Sequence, residues 1–257
     1  PGTVASCLMN VTVADDPTLT TPYFLRELRD GGMYRWAGPA ANWGEPFEPP
    51  PLRARVALVP EGGGPILQTR EVVYRYRDQA VGEVREPLLV VPRVDVKIDP
   101  AVKVWPLGVR APQNYTVTLQ HGAGERTVGT VSLELPAGWP VVAPQSFELA
   151  LPEERKVLVF QVRPPSLLAT GRLEVRAVAT DSAGNRYAVG VSTVEYPHIR
   201  LRGLARGSVS AVHAAPIALP SIQRVGYIRG ASDRVPEALA EIGLPVTLLD
   251  PAMLERG

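Results

Sequence analysis

Thr130-Val131-Ser132-Leu133-Glu134-Leu135 places Val131, Leu133 and Leu135 on one side of the backbone and Thr130, Ser132 and Glu134 on the other. Leu173, Val175 and Ala177 alternate in the same way with Arg172, Glu174 and Arg176. A period of two buries one face of a strand and wets the other, so both stretches read as half-buried strands. Working outward, strands are expected at Val94–Asp99, Asn114–Gln120, Val128–Leu135, Ser146–Leu151, Lys156–Val162, Gly171–Thr180 and Arg186–Glu195. Seven short strands in about 100 residues, with turn signals between them, are what an immunoglobulin-like β-sandwich over residues 93–198 requires.

Toward the N-terminus, Arg53–Leu58 alternates too, Glu61–Gly64 reads as a turn, and Glu71–Arg77 reads as the hairpin partner with Val72, Tyr74 and Tyr76 facing inward. Arg85–Pro92, where Pro87 and Pro92 bracket Leu88–Val91, reads as the last strand of a first β-sandwich domain, residues 1–92, loop-rich in its N-terminal part. Cys7, Met9, Val11 and Val13 share one face of an expected strand, which makes Cys7 a core residue. That strand starts almost at Pro1, so the terminus reads as a fragment boundary or a processed end.

Residues 199–221, rich in Arg, Ala, Gly and Ser with weak periodicity, read as a linker. In residues 222–257, Arg224–Ile228 and Pro245–Leu249 read as strands and Arg234–Ile242 as a helix, with Asp233 as its N-cap and Gly243 just past its end. A parallel pair with one helix leaves a sheet face bare, so an α/β domain is expected to begin here and to be truncated at Gly257. The expected fold class is mainly β: tandem immunoglobulin-like β-sandwiches followed by the first βαβ of a truncated α/β domain.

Composition narrows the function. The 257 residues are 45% hydrophobic, and 27 basic against 26 acidic residues give a net charge of +1 with both signs interspersed. No basic footprint for nucleic acid or for an anionic membrane surface emerges, and no run of apolar residues is long enough to span a bilayer. The 27 prolines are roughly twice the usual share of about 5% and punctuate the strands. One cysteine and three scattered histidines, His121, His198 and His213, supply neither a disulfide framework nor ligand spacing for a metal. His121 reads as a solvated turn residue, His198 as packing at the linker.

The remaining candidates are aromatic. Tyr23, Phe24, Tyr34, Trp36 and Trp43 crowd the first fifty residues, and Tyr34, Trp36 and Trp43 are the candidate carbohydrate or interdomain contacts. Flat rings pair with the apolar C–H faces of sugars, yet they also anchor irregular segments or dock on a neighbouring domain. Trp139 reads as a packing plug of the sandwich and Trp105 as an interdomain contact. The loop Gly230-Ala231-Ser232-Asp233 lacks the glycine pattern of a phosphate cradle and reads as a helix cap.

Two resemblances add to this reading. Asn114–Ala179, and especially Gly129–Pro140 with its Leu135-Pro136-Ala137-Gly138-Trp139 stretch, resembles the alpha-galactosidase-associated β-sandwich domain found beside bacterial carbohydrate-active catalytic domains. The chain also resembles the non-catalytic C-terminal region of large bacterial deacetylases of the PIG-L (LmbE-like) family. The resemblance is carried by Pro22-Tyr23-Phe24, Tyr34-Arg35-Trp36, Val73-Tyr74-Arg75-Tyr76, Gly82-Glu83-Val84-Arg85 and Tyr196-Pro197-His198-Ile199. Val225–Leu239 looks like the opening of a class I glutamine amidotransferase-like domain. The family's Pro-His-x-Asp-Asp motif is absent: Pro197-His198 is followed by Ile199 and Arg200. The resemblance therefore implies an accessory, structural region of a secreted or periplasmic zinc-dependent sugar N-deacetylase. No catalytic, cofactor or metal residue is expected in this segment, and zinc belongs to a catalytic domain elsewhere. Its partners would be the other domains of the same polypeptide, with carbohydrate as the alternative through the first-domain aromatics.

Overall fold

The structure is a computed structural model that describes residues 6–14, 17–27, 29–231 and 233–256; Pro1, Ser232 and Gly257, named above, lie outside them. The first strands are β1 (Arg53–Leu58), β2 (Ile66–Glu71), β3 (Val73–Asp78) and β4 (Gly82–Pro87). They are followed by β5 (Val94–Asp99), β6 (Val102–Pro106), β7 (Gln113–His121), β8 (Thr127–Glu134), β9 (Gln145–Leu149), β10 (Arg155–Val162) and β11 (Gly171–Asp181). Then come β12 (Arg186–Tyr187), β13 (Val189–Tyr196), β14 (Ile199–Gly207), β15 (Val209–Ala215), β16 (Val225–Tyr227), α1 (Val235–Glu241), β17 (Val246–Leu248) and α2 (Pro251–Arg256). Two compact units result: Pro1–Val91 with Val191–Ala205, and Pro92–Gly190 with Arg206–Gly257.

The second unit is an immunoglobulin-like β-sandwich. One sheet has the order β10-β7-β5; the other runs β6-β15-β11-β8-β9, with β12 also beside β11. Neighbours are antiparallel except β15 and β6, which are parallel. The alternation read from the sequence is the burial observed: Tyr115, Val117 and Leu119 of β7 and Val175, Ala177 and Ala179 of β11 point into one core, joined there by Val94, Val96, Phe147, Leu149 and Phe160. Trp139 plugs the sandwich as expected, edge-on to Trp105 at 5.1 Å between ring centres. Trp105 is not an interdomain contact: it is fully buried, and its Nε1 donates to the Val109 carbonyl at 3.1 Å. Trp105 shares the inward face of β6 with Lys103, two residues earlier.

Residues 199–221 are not a linker. β14 and β15 occupy most of them, and β15 pairs with β11 from Gly171↔Ala214 to Arg176↔Val209. Its inward residues are Ser210, Val212 and Ala214, and small side chains at two of three core positions hide the period of two. The expected strand Arg186–Glu195 is split: β12 stays beside β11, whereas Val191–Tyr196 belongs to the first unit and pairs with β14.

The first unit departs further from expectation. Its strands form three separate two-stranded sheets, β1-β2, β3-β4 and β13-β14, where a sandwich with its own core was expected. β1 pairs with Ile66–Glu71 rather than with residues 71–77, because Ile66 and Leu67 resume strand pattern directly after Pro65. Across this pair Ala54 faces Arg70 and Val56 faces Gln68, so neither face is continuously apolar and every residue of β1 is exposed. Tyr74 and Tyr76 are likewise exposed, their rings tilted by 33° with centres 5.4 Å apart. Cys7, Met9, Val11 and Val13 lie in no strand and are exposed, so Cys7 is not a core residue.

The expected strand, helix and strand are present, but they cluster with the sandwich in the second unit and not as a body of their own. β16 and β17 pair in parallel from Val225↔Val246 to Tyr227↔Leu248, with α1 between them. Asp233 is not the N-cap: Arg234 holds that position without a side-chain cap bond, while Asp233, one residue earlier, accepts from the Val235 amide at 2.8 Å; Gly243 takes φ +101 just after the helix end.

One glycine is dictated by packing. Gly129 of β8 lies so close to β11 that a Cβ there would sit 2.1 Å from the Thr180 carbonyl oxygen. Gly129→Ala is expected to lower stability by about 1–3 kcal/mol through backbone displacement. Gly64→Ala, where a Cβ meets nothing within 4 Å, should stay within about 0.5 kcal/mol of the parent. Urea denaturation of both variants checks the difference.

Candidate functional site

The aromatic residues of the first unit form a connected ladder. Tyr34 meets Phe24 edge-on at 5.9 Å, Phe24 meets Tyr23 at 5.4 Å, Tyr23 meets Trp36 at 5.4 Å, and Trp36 meets Trp43 at 6.1 Å. Tyr23 is its buried centre, 4% exposed, whereas Tyr34, Trp36 and Trp43 keep 46%, 46% and 51% of their surface open. The three candidate residues are thus brought together, and each shows about half of its ring to solvent.

Backbone fixes the centre. The Tyr23 hydroxyl accepts from the Gly44 amide at 2.9 Å and donates to the Glu45 carbonyl at 3.2 Å, while the Tyr23 amide donates to Glu48. The Ala37 amide donates to the Tyr23 carbonyl, so residues 36 and 43 are both tied to the same tyrosine. Phe47, next along the chain, lies under Arg200 and Arg202 of β14 at 5.3 and 4.5 Å, and Arg202 donates to the Pro46 carbonyl. These contacts seat the Pro49–Pro51 run beside a crevice of about 50 Å³.

Sequence reasoning missed the charged groups beside this ladder. Asp30 and Met33 exchange backbone hydrogen bonds of 3.0 and 2.9 Å around Gly31, whose φ is +56, and Gly32. This two-residue glycine turn is the signal that marks a tight reversal in sequence. It sets Arg29 over the Tyr34 ring at 5.8 Å and Arg35 within 3.5 Å of Asp30. Glu27, Arg29, Asp30 and Arg35 line an open groove of about 470 Å³.

The histidines do not converge. His121 is fully buried, not solvated: its Nδ1 donates to the Leu151 carbonyl at 2.9 Å, and its Nε2 pairs with the Thr127 hydroxyl at 3.0 Å. The outward rotation expected for a turn residue is prevented because β7 runs through residue 121. Both ring nitrogens are therefore engaged by protein oxygens, and the ring does not fit a zinc ligand. His198 is exposed beside Tyr196, 6.0 Å between ring centres, and His213 is exposed on β15. Among the described residues, no group of three or more His, Cys, Asp or Glu side chains is placed to hold a metal ion.

Lys103 is the buried cation of the second unit. Its Nζ lies 3.3 Å from Glu241 Oε1 at the end of α1, 3.4 Å from Gln113 Oε1, and 5.1 Å above the Tyr115 ring. Burial pushes the ammonium's pKa down and Glu241 pulls it back up; burial likewise pushes the Tyr115 hydroxyl up. The pair holds α1 on the sandwich, helped by Gln113 donating to the Glu241 carbonyl and by Arg234 gripping Asp99 with bonds of 3.1 and 2.9 Å.

Two outcomes follow from this geometry. Glu241→Ala leaves the Lys103 ammonium buried and uncompensated and is expected to cost roughly 3 kcal/mol, while Glu241→Ala combined with Lys103→Met recovers most of it, as read by thermal unfolding. Acrylamide should quench two tryptophans, Trp36 and Trp43, and spare Trp105 and Trp139; Tyr23→Phe, which removes two hydrogen bonds at a cost of about 1–3 kcal/mol, should raise the quenching of Trp36.

No family model and no curated protein matches the chain. Solved structures similar to it include native alpha-2-macroglobulin from Escherichia coli, domain MG7 to the C-terminus, with TM-score 0.31 and 16% identity over 48% of this chain and 16% of that one. WR4, a C. elegans MSP family member, gives TM-score 0.25 and 11% identity over 47% of this chain and 97% of that one. The apo-form Calx CBD1 domain gives TM-score 0.24 and 8% identity over 48% of this chain and 99% of that one.

Proposed function

We propose that the chain is a structural, non-catalytic region of a larger bacterial protein, a zinc-dependent sugar N-deacetylase of the PIG-L (LmbE-like) type. In this reading it holds the catalytic and terminal domains in place, in a secreted or periplasmic setting, and zinc is bound by the catalytic domain and not by these residues. The observation that carries the reading is the state of the β1-β2 hairpin. At its outer end Leu58, Ile66 and Leu67 are 54%, 58% and 66% exposed, and Val59 extends the same apolar end. A two-stranded hairpin open on both faces is marginal in water, and apolar side chains there gain about 1.5–3 kcal/mol each when fully covered. The occupant that fits is another domain of the same polypeptide.

A second reading has its own support. Half-exposed Tyr34, Trp36 and Trp43 offer ring surface to a sugar, which makes the first unit a carbohydrate-binding surface.

The docking reading is tested in the full-length polypeptide by Leu58→Asp with Ile66→Asp, two outward residues whose replacement leaves the sandwich core intact. The expected result is a larger radius of gyration in solution scattering and faster proteolysis between domains. An unchanged radius would contradict it.

A further inference from the structure

The sugar reading of Tyr34, Trp36 and Trp43 concerns ring faces only, and rings alone do not select a ligand. The groove beside them supplies the polar half. Its lining is Glu27, Arg29, Asp30 and Arg35, two carboxylates and two guanidinium groups with no net charge. The Arg35–Asp30 pair is solvent-exposed on both sides, an arrangement worth little to stability and open to exchange for ligand hydrogen bonds. Arg29 stands over Tyr34, so one lining residue touches the aromatic ladder directly.

The chemistry of this lining excludes several ligands. An apolar molecule would strip water from four charged groups without replacing it. An anion attracted by Arg29 and Arg35 would face Asp30 and Glu27. A neutral polyol satisfies all four: its hydroxyls donate to carboxylates and accept from guanidinium groups, and charge-assisted bonds of this kind are the stronger class. The groove is open, with about 470 Å³ of space over the four side chains, so a saccharide lying in it would keep much of its surface in water. We propose that the Glu27-Arg29-Asp30-Arg35 groove, together with the ring of Tyr34 beneath Arg29, is a binding site for a neutral oligosaccharide. The proposal rests on the sugar reading of the ladder and adds to it the residues that choose the ligand.

The Gly31-Gly32 turn makes the site possible. It brings residues 29 and 30 alongside 34 and 35, so that two adjacent positions on each arm supply one ring, two cations and one carboxylate.

The test is calorimetric titration of the whole chain with neutral tetrasaccharides of β-linked glucose, β-linked N-acetylglucosamine and α-linked glucose, beside an oligosaccharide of uronic acids. At least one neutral sugar is expected to bind, with about tenfold weaker affinity in Asp30→Asn and in Arg35→Met, and with unchanged melting temperature in both because neither residue is buried. Tyr34→Ala should abolish the signal. Binding lost in Tyr34→Ala but unaltered in Asp30→Asn and Arg35→Met would leave the sugar reading standing and overturn the groove. Tighter binding of the uronic acid oligosaccharide than of every neutral sugar would overturn the neutral ligand class. No binding of any sugar would overturn both.

Discussion

The inward rows of the two sandwich sheets are the constraint on which the rest of the second unit depends. Tyr115, Val117 and Leu119 on one side and Val131, Val175 and Ala177 on the other are all fully buried, and strands that share one core cannot slip by a residue without turning these rows to water. Such a fixed register explains the close approach at Gly129, the burial of Trp105 and Trp139, and the return of the chain to lay β15 between β11 and β6. It also explains how two buried polar groups are tied down. His121 joins the end of β7 to the Leu151 carbonyl, and Lys103 joins β6 to α1, so the titratable groups of the interior serve its architecture.

The first unit is built on a different principle. Its buried residues are few, and order comes from specific anchors: the doubly bonded hydroxyl of Tyr23, the stacked arginines over Phe47, and the carboxylate of Glu71 paired with Arg200. Hairpins assembled this way leave apolar and aromatic surface outside. That surface is the common ground of both functional readings, since domain docking uses the aliphatic end of β1-β2 and sugar binding uses the open rings of the ladder.

Where the sequence was readable, the reason was a clean alternation of side-chain size and polarity. β7, β8, β10 and β11 were legible for that reason, as was the helix α1 between Asp233 and Gly243. β15 was not, because Ser210 and Ala214 occupy core positions with side chains too small to register as apolar. The opposite error came at Cys7–Val13 and in β1, where alternation is present but the side chains stay exposed among the described residues. Periodicity reports the conformation a segment favours; burial needs a partner, and the partner is written elsewhere in the chain. The candidate rings Tyr34, Trp36 and Trp43 were visible in composition alone, while the charged groove beside them depends on a turn that joins residues five apart.

The account rests on one asymmetry, a sandwich that holds itself together and hairpins that need cover. Amide hydrogen exchange on the intact chain measures it strand by strand. The account predicts exchange at the rate of global unfolding for β7, β8 and β11, and exchange orders of magnitude faster for β1 to β4. Equal protection across residues 53–87 and 113–121 would contradict it, because the hairpins would then carry a stability that their exposed faces do not supply.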